Sequence, residues 1–188
     1  MLSQVTEIPQ YKMNKQYLSR TWANPKLKAE KSKIHGDGVF TNERILEGEK
    51  VMEFGGELIS REQALSGKYR SRSIWIVGAD RYLALPKSDN QESLDENLNH
   101  SCDANTRLID EVTIVAKRDI EAGGEITLDQ GTWNFEDIAY TDNKEPCSCG
   151  AKDCRKILTE NDWKISSVRE KYKGHFHPMI QKMIDVGA

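Results

Sequence analysis

Residues 94–108 read LDENLNHSCDANTRL, and the polar run Asn99-His100-Ser101-Cys102 at their centre lies between two modestly apolar flanks. The chain has four cysteines in 188 residues, and the other three follow far downstream in CSCGAKDC, residues 147–154. Cysteines at short, structured spacing are either metal ligands or disulfide partners. The isolated Cys102 therefore raises the question of what it binds.

The three downstream thiols belong to one short loop, in which Gly150 allows the tight turn that points them at a common centre. Tetrahedral structural zinc needs four ligands, and the chain has only one further cysteine. The spacing predicts one structural Zn²⁺ ion bound by Cys102, Cys147, Cys149 and Cys154. Two disulfides are the alternative, which the near-adjacent Cys147 and Cys149 and the lack of a secretory signal sequence disfavour.

Length and composition are typical of a single soluble domain. The chain is 37% hydrophobic and 30% charged, which is neither the pattern of a disordered chain nor that of a membrane protein. No stretch approaches the ~18 consecutive apolar residues that a membrane helix needs. We expect an intracellular protein, cytoplasmic or nuclear, that does not bind membranes.

Charge is unevenly distributed along the chain. Residues 1–33 hold seven Lys or Arg against two Glu, so a net charge of -3 leaves about -8 on the remainder. Nucleic-acid binding depends on Lys and Arg contacts to phosphate, so we expect no direct nucleic-acid binding. An acidic body can attract a basic protein or peptide, although it is also compatible with an ordinary solvated surface.

Hydrophobic patterning predicts a β-rich core with peripheral helices. Short apolar runs split by Gly, Asn and Glu across residues 38–59 are typical of strands and turns. The remaining predictions are a short helix ending at Gly67, a hairpin turning at residues 78–80, one strand on each side of a Gly123-Gly124 turn, and a helix after a capping pattern at residues 159–162. The fold class is therefore α+β and rich in strands.

Four ordered blocks and a cysteine motif carry a family resemblance. They are KIHGDGVF (33–40), EFGGELIS (53–60), LNHSCDAN (98–105), AGGEITLDQ (122–130) and CSCGAKDCRKIL (147–158). In this order the chain resembles the SET-domain protein lysine methyltransferases, and the cysteine motif resembles their post-SET zinc motif. The resemblance implies several short β-sheets, a C-terminal pseudoknot that brings Asn99 near residue 130, a post-SET zinc loop and a C-terminal helix.

The resemblance also divides the chain into segments. We expect an N-terminal basic arm at 1–30, a SET domain at 31–136, a post-SET zinc-binding segment at 137–158 and a C-terminal helical tail at 159–188. It further implies transfer of a methyl group from S-adenosylmethionine to a lysine of a basic protein segment, with histones as the substrate by analogy. The oligomeric state is left open.

The cofactor-binding residues follow from the matched blocks. The resemblance implies that S-adenosylmethionine contacts residues of the first and third blocks, namely Lys33, His35, Gly36, Asp37, Gly38, Asn99 and His100. The glycines would let the backbone approach the methionine part of the cofactor, where a β-carbon would clash. Taken alone, Gly36-Asp37-Gly38 is also a standard turn signal.

The catalytic positions depart from the family pattern. Gln130 stands where the family usually has a catalytic tyrosine, Leu128 replaces an aromatic residue, and Phe54 replaces another tyrosine. We expect Gln130 and Tyr82 to be the catalytic residues, with core packing as the alternative for Tyr82. The competing hypothesis for the chain is a catalytically weak or inactive SET module that binds the cofactor or a protein partner.

Other aromatic and histidine residues suit more than one role. Tyr69 and Tyr140 are lesser candidates for the missing hydroxyl. Trp133 and Phe135 suit either the wall of a lysine channel, a cap over the cofactor adenine, or the core. His175 and His177, which precede Pro178, are expected at the surface.

Overall fold

The computed structural model describes residues 15–135 and 145–187. Within these residues the chain forms short strands and three α-helices. The strands are β1 Trp22–Ala23, β2 Leu27–Lys31, β3 Asp37–Thr41, β4 Lys50–Glu53, β5 Glu57–Ile59, β6 Trp75–Gly78, β7 Arg81–Ala84, β8 Asn99–His100, β9 Thr106–Leu108, β10 Thr113–Ala116, β11 Glu125–Leu128, β12 Glu145–Pro146 and β13 Ile157–Leu158. The helices are α1 Arg61–Leu65, α2 Ser166–Lys171 and α3 Pro178–Asp185. None of the helices in the described ranges has the length and apolarity that a membrane crossing requires.

The strands form four small sheets, with the orders β1-β4-β10-β9, β2-β3-β11-β8, β5-β7-β6 and β12-β13. The pairings are antiparallel except that of β8 with β11, which is parallel and sets Asn99 opposite Thr127 and His100 opposite Leu128. The predicted β-rich class with few helices is confirmed. The parallel pair also brings Asn99 beside the strand that ends near Gln130, as the sequence predicted.

A hydrophobic core joins three of these sheets. Val39, Val51, Leu83, Ile114 and Ile126 come from five different strands, and each side chain is fully buried. Short strands with β-branched residues pack well on such pleated surfaces. The core therefore fixes the ends of β8 and β11, where the polar residues of the site lie.

The segment predicted as an N-terminal arm is partly integrated into the sheets. Strands β1 and β2 pair with β4 and β3, so the boundary predicted at residue 30 falls inside β2. The segment ahead of β1 passes over Gly55 and Gly56, and the N–H of Gly56 donates to the carbonyl of Leu18 at 2.9 Å. A β-carbon on Gly55 would lie 2.3 Å from the carbonyl oxygen of Arg20, so this crossing requires glycine.

The local predictions between residues 60 and 86 are confirmed. Helix α1 begins with a capping box in which Ser60 and Gln63 bond each other's backbone N–H groups, and Gly67 follows it with φ of +73°. Strands β6 and β7 form the predicted hairpin, whose turn holds Asp80 at φ of +53°. Turn chemistry therefore positions β7 between β5 and β6.

The C-terminal segment contains a 3-10 turn at Asp162–Lys164 and two helices, where the sequence predicted one helix. The prediction that His177 lies at the surface is wrong, because its side chain is fully buried. Its Nδ1 accepts from the N–H of Met179 at 3.2 Å, which leaves Nε2 to donate to the carbonyl of Ile76 at 3.1 Å. His175 is half-buried, with Nδ1 2.9 Å from the carbonyl oxygen of Leu108. The tail is thus packed onto the core.

Candidate active site

A cavity of about 540 Å³ lies where the ends of β8 and β11 meet the cysteine segment. Its walls are lined by Ile34, His35, Phe54, Arg72, Ser73, Ile74, Trp75, Asp95, Glu96, Leu98, Asn99, His100, Leu128, Gln130, Trp133, Pro146, Cys147, Ser148, Cys149 and Leu158. Of the predicted cofactor-binding and catalytic residues, the cavity brings together His35, Asn99, His100 and Gln130. Lys33, Gly36, Asp37, Gly38 and Tyr82 are outside this lining.

The side chain of Asn99 holds one edge of the cavity in place. Its Nδ2 donates to the carbonyl of His35 at 3.0 Å, to that of Asp37 at 3.2 Å and to Oε1 of Glu125 at 2.8 Å. Ser32 Oγ donates to the same Glu125 carboxylate at 2.8 Å. The amide of Asn99 is therefore committed to the loop 32–38, so a contact of this amide with a cofactor remains a prediction.

The glycines of this loop have a structural reason of their own. Gly36 has φ of +51°, which side-chain-bearing residues rarely adopt. A β-carbon on Gly38 would lie 2.3 Å from Oε1 of Glu125. Close packing against Glu125 thus explains Gly38 within the protein itself, and the predicted approach to a cofactor is not needed to account for it.

Three aromatic side chains, those of Phe54, Trp75 and Trp133, form an aromatic wall of the cavity. The rings of Phe54 and Trp75 stack at 3.7 Å with an interplanar angle of 12°, and Trp133 lies 4.7 Å from Trp75. Trp75 Nε1 donates to the carbonyl of Glu111 at 2.7 Å, which fixes the central ring. This wall is apolar and excludes water from whatever lies against it.

Gln130 lines the cavity and carries a side-chain acceptor without a donor. Its Oε1 is buried and has no hydrogen-bond partner among the described residues, and its backbone N–H donates to Nδ1 of His100 at 3.0 Å. A buried carbonyl without a donor is costly, so such an atom marks a place where a ligand can bind.

The other predicted aromatic residues are distributed differently. Tyr82 is 1% exposed on β7 and packs in a neighbouring cluster with Ile59 and Ile76, outside the cavity lining. Phe135 packs on that cluster and lies 5.5 Å from His177 between ring centroids, whereas Trp133 lines the cavity. Tyr69 donates to Oε2 of Glu57 at 3.2 Å, and Tyr140 lies outside the described residues.

The predicted metal ligands converge beside the cavity. Cys102 Sγ lies 3.9 Å from Cys147 Sγ, and the N–H of Cys102 donates to Cys149 Sγ at 3.4 Å. One ligand atom from each of His100, Cys102, Cys147 and Cys149 falls within 4.8 Å of the others. Cys154 lies within hydrogen-bonding range of the Cys147 and Cys149 thiols. This sulfur-rich set suits Zn²⁺.

Hydrogen bonding distinguishes His100 from Cys154 as the fourth ligand. Burial lowers the pKa of His100 to about 4, so its ring is neutral and carries one proton. Nδ1 accepts from Gln130, which places the proton on Nε2, 3.3 Å from Cys102 Sγ. His100 is therefore a hydrogen-bond donor to the Cys102 sulfur, a common role for groups around a metal site. The four-cysteine set stays the prediction.

The thiols of the cluster differ in their readiness to ionise. Burial raises the pKa of Cys102 to about 11. Burial also opposes ionisation of Cys149, but N–H donors from Cys102 and Ala151 outweigh it and lower the pKa of Cys149 to about 7. A divalent cation would favour the thiolate form of all the ligands.

A buried ion-pair network, which the sequence did not reveal, links the cysteine loop to β11. Arg155, which directly follows Cys154, makes two bonds to the carboxylate of Asp129 at 2.6 and 2.9 Å and one to Asp162 at 2.7 Å. Its backbone N–H donates to Cys102 Sγ at 3.3 Å. Burial opposes the charge of Arg155, but the two carboxylates outweigh it and raise its pKa. The network fixes the residue that precedes Gln130.

Comparison with known proteins agrees with this geometry. A sequence profile of the SET domain matches residues 36–131. "Histone-lysine N-methyltransferase trithorax" of Drosophila virilis is 35% identical over 141 residues, which cover 68% of this chain and 3% of that protein. "Probable histone-lysine N-methyltransferase set-23" of Caenorhabditis briggsae is 30% identical over 154 residues, 71% of this chain and 60% of that protein. The chain thus spans less than two thirds of either relative.

A solved structure shares the fold. The crystal structure of the methyltransferase domain of human histone-lysine N-methyltransferase SETMAR superimposes with a TM-score of 0.53 at 22% identity, over 70% of this chain and 57% of that one. At this identity the likeness concerns the arrangement of the strands alone.

Proposed function

Because this chain belongs to the SET-domain family, we propose that it transfers a methyl group from S-adenosylmethionine to the side-chain amine of a lysine in a protein substrate. The observation that carries the proposal is the parallel pairing of β8 with β11, which brings Asn99, His100, Leu128 and Gln130 to one cavity. The relatives' names as histone-lysine methyltransferases support the same reaction.

Methyl transfer requires that the protein align the lysine amine with the methyl group and keep that amine neutral. The cofactor, when bound, supplies an electrophilic methyl group, and the chain must align a neutral amine with it. A free lysine has a pKa near ~10.4, and desolvation favours its neutral form. The stacked rings of Phe54 and Trp75, together with Trp133, form the apolar wall against which the amine would lose water.

Gln130 would orient the amine. Its amide does not titrate, so it cannot act as a base, but its unpartnered Oε1 can accept a hydrogen bond from the amine N–H. The proton is then lost to water before methyl transfer, and alignment limits the rate. Ile74, which lines the cavity, packs against the cluster that contains Tyr82. The role of Tyr82 as a second hydroxyl contact remains a proposal, which Tyr82→Phe tests.

The metal would have a structural task in this proposal. Cys102, Cys147, Cys149 and Cys154 would hold one Zn²⁺, which joins the β8 end to the loop that closes the cavity. Structural zinc contributes folding free energy directly. The ion would thereby shape the cavity without taking part in the reaction.

The substrate proposed is a basic protein segment. Residues outside 1–33 carry about -8, which favours such a partner over nucleic acid. Histone tails are the first candidates because the relatives are named for them. Nuclear or cytoplasmic action would follow from the identity of that substrate.

The test is incubation of the purified chain with isotopically labelled S-adenosylmethionine and a panel of basic proteins that includes histones. Mass spectrometry of the products should find label on lysine side chains. An unlabelled panel together with no calorimetric binding of S-adenosylmethionine would refute the proposal.

A weak or inactive module that binds the cofactor or a protein partner is the second candidate. It is favoured by one specific observation, that Phe54 and Gln130 remove two hydroxyl groups expected of the family pattern. Calorimetric binding of S-adenosylmethionine without label on any lysine would support it, and labelled lysine would exclude it.

A further inference from the structure

Two charged side chains on the cavity wall, those of Arg72 and Asp95, make no ion pair within the described part of the chain. Arg72 donates from Nε to the carbonyl of Glu96, and no carboxylate of residues 15–135 or 145–187 lies within ion-pairing distance of its guanidinium. Arg70, two residues earlier, is by contrast paired with Glu96 at 2.7 Å. An unpaired arginine in a cavity is thus a specific feature of this wall.

Asp95 is the unpaired anion. Its side chain is only 9% exposed and accepts from Thr21 Oγ1 at 2.9 Å and from Ser93 Oγ, both of which are neutral groups. Burial raises its pKa. The charge of Arg20 only partly offsets this effect of burial. A buried carboxyl group that makes no ion pair is costly to ionise, and such groups concentrate at binding sites.

The two charges belong to the same end of the cavity. Arg72 Nε donates to the carbonyl of Glu96, which is the residue after Asp95 in the chain, and Arg72 and Asp95 are both among the residues that line the cavity. The aromatic wall of Phe54, Trp75 and Trp133 carries no charge. Glu96 also lines the cavity, but its carboxylate is paired with Arg70. Arg72 and Asp95 are therefore a cation and an anion on the cavity wall that make no ion pair of their own.

We propose that Arg72 and Asp95 bind the zwitterionic amino-acid end of the cofactor, Arg72 its α-carboxylate and Asp95 its α-ammonium group. This inference rests on the proposed function. The planar guanidinium fork suits a carboxylate, and a cation completes the buried carboxyl. A substrate lysine in the same place would satisfy Asp95 but would leave Arg72 without an anion.

Four ligands that differ only at this end test the assignment by calorimetry. S-adenosylhomocysteine carries both charged groups, its deamino analogue keeps the carboxylate, its decarboxylated analogue keeps the ammonium group, and 5′-methylthioadenosine has neither. Each is titrated into wild type, Arg72→Ala and Asp95→Asn. Lys87→Ala is the matched control, since it removes an exposed cation outside the cavity lining.

We expect Arg72→Ala to weaken S-adenosylhomocysteine and the deamino analogue by roughly 10- to 100-fold, the scale of a charge-assisted hydrogen bond, and to leave the other two ligands unchanged. Asp95→Asn should weaken S-adenosylhomocysteine and the decarboxylated analogue only. Lys87→Ala should change none of the four dissociation constants. Thermal melting of each variant checks that it is folded, and Arg72 is exposed, so its replacement leaves the core intact.

The outcomes separate this inference from the proposed function. If wild type does not bind S-adenosylhomocysteine, the proposed function fails and the assignment fails with it. If wild type binds it but Arg72→Ala weakens all four ligands equally, or none, the assignment alone is overturned. If Arg72→Ala or Asp95→Asn changes the affinity for a methylated substrate peptide but not for S-adenosylhomocysteine, the assignment is likewise refuted.

Discussion

Removal of the Arg155 guanidinium should strongly destabilise the fold without removing a predicted metal ligand. Arg155→Met keeps the length and the apolar stem of the side chain but leaves the carboxylates of Asp129 and Asp162, which are 0% and 3% exposed, without a cation. Breaking a buried pair from one side costs about 3 to 5 kcal/mol, against a total stability of about 5 to 15 kcal/mol for a typical domain. The variant should therefore lose a large part of its free energy of unfolding.

Urea unfolding followed by tryptophan fluorescence measures this loss. With a denaturant slope of about 2 kcal/mol per molar, the midpoint should fall by roughly 2 M. Lys152→Ala is the matched control on the same loop, because Lys152 is exposed, and it should change stability by less than about 0.5 kcal/mol. Adding Asp129→Asn to Arg155→Met removes one buried carboxylate that has lost its cation. The double variant should therefore regain at least about 1 kcal/mol of the free energy of unfolding. A loss below about 1 kcal/mol for Arg155→Met, or no recovery in the double variant, would show that the network does not stabilise the fold.

Three further predictions concern the metal, the cavity and a buried histidine. Elemental analysis should find one zinc per chain, with Cys102→Ser and Cys154→Ser losing it and His100→Gln retaining it; zinc lost only in the His100 variant would reverse the ligand assignment. Gln130→Tyr should raise the methylation rate about 10-fold, equivalent to ~1.4 kcal/mol in the transition state. If Gln130→Tyr instead abolishes an existing activity, the assignment of Gln130 to the active site is wrong. Burial lowers the pKa of His177 to about 4, below the ~6.5 of an unfolded histidine. Its contribution to the free energy of unfolding is therefore complete above pH 6.5 and is lost as the pH drops towards 4. The loss should reach about 2 kcal/mol at pH 5. Thermal melting between pH 7.5 and pH 5 should show this loss in wild type and a smaller one in His177→Asn, and equal slopes in both proteins would contradict it.

Much of the fold was readable because its signals are local. The Ser60 and Gln63 capping box, the turn at Asp80 and the cysteine spacing each lie within a few residues of sequence. The placement of Cys102 followed from the number of ligands that zinc needs. Such features depend on short-range geometry, which the order of residues specifies directly.

The features that were missed depend on contacts between distant residues. Arg155 and Asp129 are 26 residues apart, and His177 and Ile76 are 101 residues apart. Polar residues are mostly exposed, so a charged or histidine side chain in a tail gives no local indication that it is buried. Arg72 and Asp95 were missed for the same reason, since only the folded cavity brings them together.

Tyr82 illustrates a limit of periodicity. The strand itself was predicted correctly, but Tyr82, Leu83 and Ala84 are all buried, so both faces of β7 pack against protein. Alternation of polar and apolar residues identifies the inner face only when the other face meets water. The sequence therefore placed Tyr82 on the right strand without showing which of two clusters its ring would join.

The residues that line the cavity are synthesised at different times, which affects co-translational folding. Phe54 and Trp75 belong to the first half of the chain, whereas Leu128, Trp133 and the cysteine loop that encloses the same cavity come later. At ~5 to 20 residues per second, the stretch from Trp75 to Leu158 takes roughly 4 to 17 seconds to synthesise. The β8 strand waits for its parallel partner β11 during part of that time. Each nascent chain thus passes through a state in which Phe54 and Trp75 are not yet covered by the later residues of the cavity. Chaperones and proteases can bind the exposed aromatic side chains in this state.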